Sequence, residues 1–450
     1  MTSQGHFTNI PFHLASIFLF MSASAHGGPT TTPSSAKNAW SLSASLGLKE
    51  SYDSNVSLQD TAPDAASIAQ ASAAGLHIEK SGQASLITTV LPRLAVDYKP
   101  GTEFYASVNY APEINHYHSA PSENFVAHKG TLNLGGKCGD VSWESLNTAS
   151  YIDGNELGPT FARPSDVPAM GGIPLRDRRK AWTLRNQFKL TCPVGNSFVR
   201  PVASTYFHDF KTDQISNTAP AAWVYENYID RQDVSAGVDL GYKVADETYI
   251  VVGYRYGEQQ QGSLLGADSP YDNTYQRILL GIEGSPVTWA KLAVTGGPDF
   301  RDFPGATLPG FDKNELLCYI DASVTFMPNK QDSIILTYRR FEQPTFSSFS
   351  MYQDLTYSLT WKHPLNENFS VSAAMLIHNG IWQAPVQRDD LIYTPSVSLV
   401  YAHDHLSAEL ACSYDWVKND SAVVPGTATT YANAREFSRN LVSVGLKYSF

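Results

Sequence analysis

Residues 437–450 read FSRNLVSVGLKYSF. In an extended chain, side chains alternate between two faces. Val442, Val444, Leu446, Tyr448 and Phe450 then share one face, and Ser443, Gly445, Lys447 and Ser449 share the other. An apolar strand with a free edge invites aggregation in water. The same strand is harmless where it closes a cylinder in lipid, because no edge remains. The rest of the chain must repeat the alternation for that reading to hold.

Composition points the same way. Only 17% of the 450 residues are charged, against about a quarter in ordinary soluble domains, while Tyr (24), Phe (21) and Trp (8) are plentiful. Mean hydropathy is nevertheless −0.23, too polar for a bundle of membrane helices. The formal charge of −11 excludes the basic footprint of a nucleic-acid binder. Near the start, Leu14–Met21 is a short apolar core followed by Ala23-Ser24-Ala25, an A-x-A pattern. Residues 1–25 are therefore expected to be a cleaved signal peptide, although 1–13 lack Lys and Arg; the bland alternative is a buried apolar segment. Residues 26–38 (HGGPTTTPSSAKN) read as a flexible periplasmic lead-in, and 39–450 as one folded unit.

From Trp40 onward, apolar and polar residues alternate in stretches joined by connections of two kinds. Short turns fall near 99–102, 138–140, 193–196, 245–247, 284–287, 328–332, 363–368 and 402–405. Longer segments fall near 53–83, 112–123, 154–180, 211–230, 258–272, 299–313, 343–350, 379–390 and 418–435. A soluble sandwich does not sort its loops by length in this way. The pattern predicts an all-β fold: a single closed antiparallel transmembrane β-barrel of about 18 strands, with short periplasmic turns and long extracellular loops.

In such a barrel the apolar register meets lipid and the polar register lines the lumen. Sets such as Val234, Ala236, Val238, Leu240 and Tyr242, or Leu316, Cys318, Ile320, Ala322, Val324 and Phe326, are the expected outer face. Charges facing mid-bilayer would cost about 2–4 kcal/mol, so they must point inward. The expected pore-lining residues are Arg93, Asp97, Arg200, Asp239, Arg255, Arg277, Lys291, Asp321, Arg339 and Lys362. Segment 154–180, rich in Pro and Gly, is the candidate constriction loop, with Arg163, Arg176, Arg178 and Arg179 as its charges; an outward surface loop is the alternative.

Cys138 and Cys192 both fall at short-turn ends in an oxidising compartment, and a disulfide is predicted between them if their Cα atoms come within about 7 Å. Cys318 and Cys412 read as free, small apolar residues on the outer face. His116-Tyr117-His118-Ser119 lies in a predicted loop without the pattern of a metalloprotease or serine hydrolase. Tyr52–Asn55 and Asp268–Asn273 cluster oxygens without the spacing of a calcium loop. No catalytic constellation, cofactor motif or metal site is expected, and the chain does not read as an enzyme.

The terminal strand, ending on Phe450 with Tyr448 two places before it, resembles that of bacterial outer-membrane β-barrel proteins. That resemblance implies an outer-membrane location, and it implies that Tyr448 and Phe450 serve as the assembly signal read by the barrel-assembly machinery. The phrase Leu46–Val56 (LGLKESYDSNV), with the turn Asp97–Thr102 (DYKPGT), resembles the β-barrel porin-2 family. The resemblance implies a porin-like channel for passive diffusion of small hydrophilic solutes. A structural or export component associated with surface polysaccharide is the alternative it leaves open.

Overall fold

The computed structural model describes residues 39–58, 60, 82–154, 180–211, 213–214, 227–305, 311–346, 349–383, 387–421 and 436–450. The expected signal peptide, the lead-in and the four arginines of segment 154–180 lie outside these residues. Strands β1 (Trp40–Asp53), β2 (Ser85–Tyr98), β3 (Phe104–Tyr110) and β4 (Glu113–Tyr117) open the fold. They are followed by β5 (Phe125–Cys138), β6 (Val141–Gly154), β7 (Lys180–Val194), β8 (Ser197–Phe210) and β9 (Arg231–Ala245). Next come β10 (Thr248–Gln261), β11 (Asn273–Val287), β12 (Ala290–Asp302), β13 (Asn314–Phe326) and β14 (Ser333–Pro344). The last are β15 (Met351–Pro364), β16 (Phe369–Trp382), β17 (Arg388–His403), β18 (Leu406–Ser421) and β19 (Phe437–Ser449).

Apart from β3 and β4, each strand pairs antiparallel with its neighbours in sequence, and β1 pairs with both β2 and β19, so the sheet closes. β3 and β4 together occupy one position, since β2 and β5 flank both. The barrel therefore has 18 strand positions. Ala111 and Pro112 interrupt this one strand; proline lacks the N–H that a ladder needs. His116, expected in a loop, thus sits on β4. The segment expected as a loop at 379–390 is shorter, because β16 and β17 continue to Trp382 and from Arg388.

The short connections gather at one end. The β5–β6 and β7–β8 turns use Gly139 and Gly195 at φ of 60° and 62°, the positive values that two-residue hairpins favour. At this end Phe450 donates its backbone N–H to Ala44 at 2.9 Å, fastening the last strand to the first. In the 327–332 turn, Asp332 accepts from Asn329 at 2.6 Å and from the Trp361 indole at 2.8 Å. His363 Nδ1 lies 2.9 Å from the same carboxylate, and these hydrogen bonds hold its pKa below the usual value.

The outer face is a belt of exposed apolar side chains. Val442, Val444, Leu446, Tyr448 and Phe450 are all exposed, as are Leu240, Tyr242, Ile278, Leu280 and Leu316. Rings frame the belt: Trp40 packs on Tyr98 at 4.3 Å, and Tyr393 on Trp416 at 5.4 Å. The inner register buries many polar and charged residues beside apolar ones, including Arg185, Asp239, Gln259, Arg277, Asp299, Arg301 and Asp354. This protein is apolar outside and polar inside, the inverse of a soluble domain.

The disulfide expectation fails on geometry. Cys138 faces Val141 across the β5–β6 turn, and the β6–β7 register starting at Ser142–Thr191 puts Cys192 beyond the whole of β6. Two strand spacings make about 9–10 Å, too far for a bridge. All four cysteines are free, with Cys318 and Cys412 exposed on the outer register.

Candidate functional site

The inner wall holds charges in ion-paired groups. Arg200 on β8 donates from Nε to Asp239 on β9 at 3.0 Å, and through both Nη atoms to Glu283 on β11 at 2.8 Å each. Asp239 also meets Arg255 of β10 at 2.7 Å. Further round, Asp299 on β12 lies 3.1 Å from Arg277 and 3.0 Å from Arg301. The Arg277 guanidinium is also sandwiched between Tyr275 and Tyr319, 4.0 Å and 4.4 Å from the ring centroids. Arg339 on β14 pairs with Asp354 on β15 at 3.6 Å and stands opposite Asp321 in register. Guanidinium–carboxylate forks of this kind hold both partners rigid. Six of the ten predicted lining residues (Arg200, Asp239, Arg255, Arg277, Asp321 and Arg339) therefore belong to one connected stretch of wall, β8–β15.

The other four lie nearer the short-turn end. Arg93 donates to Asn109 at 2.6 Å. Asp97, Lys291 and Lys362 have no ion pair among the described residues. Lys49 and Lys447 share the inner register with Arg93, on β1 and β19. On this stretch cations outnumber the carboxylates Asp97 and Glu409, so an anion inside meets a favourable field.

A hairpin that leaves the wall crosses the lumen. β13 and β14 pair only from Phe326–Ile334 up to Ile320–Arg340. Beyond that point β14 stays with β15 as far as Pro344–Met351 and bends inward. Leaving β13 strips backbone carbonyls of partners, and buried carbonyls need them. Side chains on other strands supply the donors. Glu342 O accepts from Arg301 Nη2 at 2.8 Å and from Gln259 Nε2 at 3.1 Å. Pro344 O accepts from Arg231 at 3.1 Å, and Thr345 O from Gln261 at 2.8 Å. At the tip, Phe346 O accepts the Ile229 N–H at 2.7 Å, and the Phe346 ring packs with Ala181, Phe210 and Tyr228. The hairpin thus reaches from β14 to β7 and β8, across the barrel mouth away from the short turns.

Sequence reasoning placed a constriction in 154–180 and passed over 343–350 as an ordinary loop. A signal for the second was present. FEQPTFSSFS (341–350) is apolar for an exposed loop, and Arg231, Gln259 and Gln261 form a set of long donors at the matching ends of β9 and β10.

The first-strand phrase also has a structural meaning. Asp53 accepts the Asn55 N–H at 2.9 Å, and Asn55 Nδ2 donates to Asp60 at 2.8 Å and to Ser438 O at 3.0 Å. Ser54 and Asn440 exchange hydrogen bonds of 3.0 Å and 2.8 Å. Arg439 lies 3.6 Å from Asp53 and 2.9 Å from Asp415. These contacts latch the tops of β1 and β19 where the barrel closes. His118 and Thr88 meet at 2.8 Å, and Asn124 and His116 at 3.2 Å, so both histidines of the 116–119 phrase tie the 118–124 connection to its neighbours.

Fold and lumen together define a closed 18-strand barrel with an apolar exterior and a charged, hairpin-crossed interior. Among solved structures, the chain is similar to the FrpB iron transporter of Neisseria meningitidis, at 10% identity and a TM-score of 0.43, covering 92% of this chain and 82% of that one. It is similar to OccK2 (OpdF) of Pseudomonas aeruginosa, at 9% identity and 0.43, covering 91% and 98%. It is also similar to the outer membrane protein opdK of Pseudomonas aeruginosa, at 10% and 0.41, covering 91% and 99%. No family model and no curated protein matches the chain.

Proposed function

We propose that this protein is a porin-like channel of a bacterial outer membrane, admitting small hydrophilic solutes by passive diffusion. The observation that carries the reading is the sidedness of the closed sheet: apolar residues outside and ion-paired polar residues inside. A barrel of this strand number encloses more space than its own side chains fill. The β14–β15 hairpin is its constriction, and the Arg93, Lys49 and Lys447 stretch lends the lumen a preference for anions. Residues 1–25 act as the export signal, and Tyr448 and Phe450 as the strand read by the assembly machinery. The Tyr52–Asn55 phrase and the terminal aromatic residues favour the porin-2-like family.

Liposome swelling tests this with the refolded protein. Vesicles carrying it should swell in small sugars and amino acids at rates that fall steeply with solute size. Failure to swell in any of them, from protein whose circular dichroism shows a folded barrel, would favour a structural or polysaccharide-export role.

A further inference from the structure

The geometry points to a seat for a phosphate-bearing membrane lipid on the outer wall at the β13–β14 split, acyl chain in a groove and phosphate on Arg340. The inference rests on the outer face meeting lipid, and not on conduction. Ile320–Arg340 is the last pair that β13 and β14 share, although β13 continues to Asn314 beside β12 and β14 to Pro344 beside β15. The ladder between them thus opens into a notch. Directly below lies an outer-face groove of about 410 Å³, walled by Val324, Leu336, Tyr338, Tyr357, Leu359 and Met375 and floored at Ala322. Tyr338 and Tyr357 stack at 4.5 Å and form one flat side. An apolar groove on a lipid-facing wall accepts a chain of methylenes by burial alone.

Arg340 selects the kind of chain. It lies on the same outward register as Leu336 and Tyr338, two residues beyond the Tyr338 that lines the groove. Its Nε is buried and has no hydrogen-bond partner among the described residues, so the ends of the guanidinium are what a phosphate would meet. The nearest acidic residue along the strand, Glu342, feels the Arg340 charge but is buried, forms no ion pair with it among the described residues, and accepts from Gln383 at 2.5 Å. An arginine on the lipid face is costly unless an anion meets it, and a phosphate offers the fork geometry that guanidinium prefers. Arg340 therefore supplies the charge complementarity that distinguishes a phosphate-bearing lipid from a neutral one.

Native mass spectrometry of the full chain in detergent tests the seat. The probes are phosphatidylglycerol, phosphatidylcholine with the same acyl chains, and inorganic phosphate. Wild type should retain phosphatidylglycerol over phosphatidylcholine, and free phosphate should not compete. Arg340→Gln should lower phosphatidylglycerol retention about tenfold, the scale of one charge-assisted hydrogen bond, and leave phosphatidylcholine unchanged. Ala322→Phe, which fills the groove from its half-buried floor, should lower retention of both lipids. Equal retention of the two lipids by wild type, or no change in either variant, would overturn the seat and leave the channel reading intact. Competition by free phosphate would assign Arg340 to a soluble anion and overturn it as well. Should one variant fail to fold, the other still decides.

Discussion

Arg301 on β12 donates through Nη2 to the backbone carbonyl of Glu342 at 2.8 Å, and so holds a strand that has left the barrel wall. Gln259, Arg231 and Gln261 repeat the arrangement along the same edge. The inward hairpin is thus fixed by side chains acting in place of the lost β13 ladder.

Removing those donors should free the hairpin. Gln259→Ala with Gln261→Ala leaves the Thr345 carbonyl without its Gln261 donor, at about 1–3 kcal/mol, and takes one of two donors from the Glu342 carbonyl, which keeps Arg301. The barrel should stay closed, while the mean channel current rises and flickers more than in wild type. Unchanged current would mean that the hairpin does not bound the pathway.

The latch at the seam predicts a separate effect. Asn55→Ala removes the bonds to Asp60 and Ser438 and should lower stability by about 1–3 kcal/mol. The readout is the temperature at which the folded band is lost in heat-modifiability gels. The channel current of the molecules that stay folded should not change.

Thiol chemistry checks the corrected cysteine reading. Denatured, unreduced protein should titrate four thiols, because Cys138 and Cys192 stand a full strand apart. Two thiols would restore the disulfide.

Asp332 gives a pH signature at the short-turn end. Its folded-state pKa is depressed by hydrogen bonds from Asn329, Trp361 and His363. A depressed carboxylate contributes stability above its unfolded pKa and loses it as pH falls through the folded one. Wild type should therefore exceed Asp332→Ala in thermal midpoint at pH 7, and the two should converge below the ordinary carboxylate range. A gap that persists there would assign the difference to something other than this charge.

Much of the fold was legible because a spanning barrel writes its geometry into local pattern. The alternation of Val442–Phe450 marked the outer face, and loop lengths ordered the strands. Asp239 and Arg277, expected to point inward because their charge bars them from lipid, are buried and ion-paired. What was not legible depends on distance around the cylinder. Cys138 and Cys192 are close in the list of turns but separated sideways by β6. The bend after Arg340 is set by donors on β9, β10 and β12, which no local pattern in β14 reveals. Tyr52–Asn55 read only as a cluster of oxygens because its partners, Ser438 and Asn440, lie at the other end of the chain.

Single-channel recording across a planar bilayer in a potassium chloride gradient shows whether the charged interior forms a continuous aqueous path. Such a path should give discrete ohmic steps with a reversal potential on the chloride side, moved toward potassium by Arg93→Glu. A silent membrane from folded protein, or a potassium preference that Arg93→Glu leaves unchanged, would contradict it.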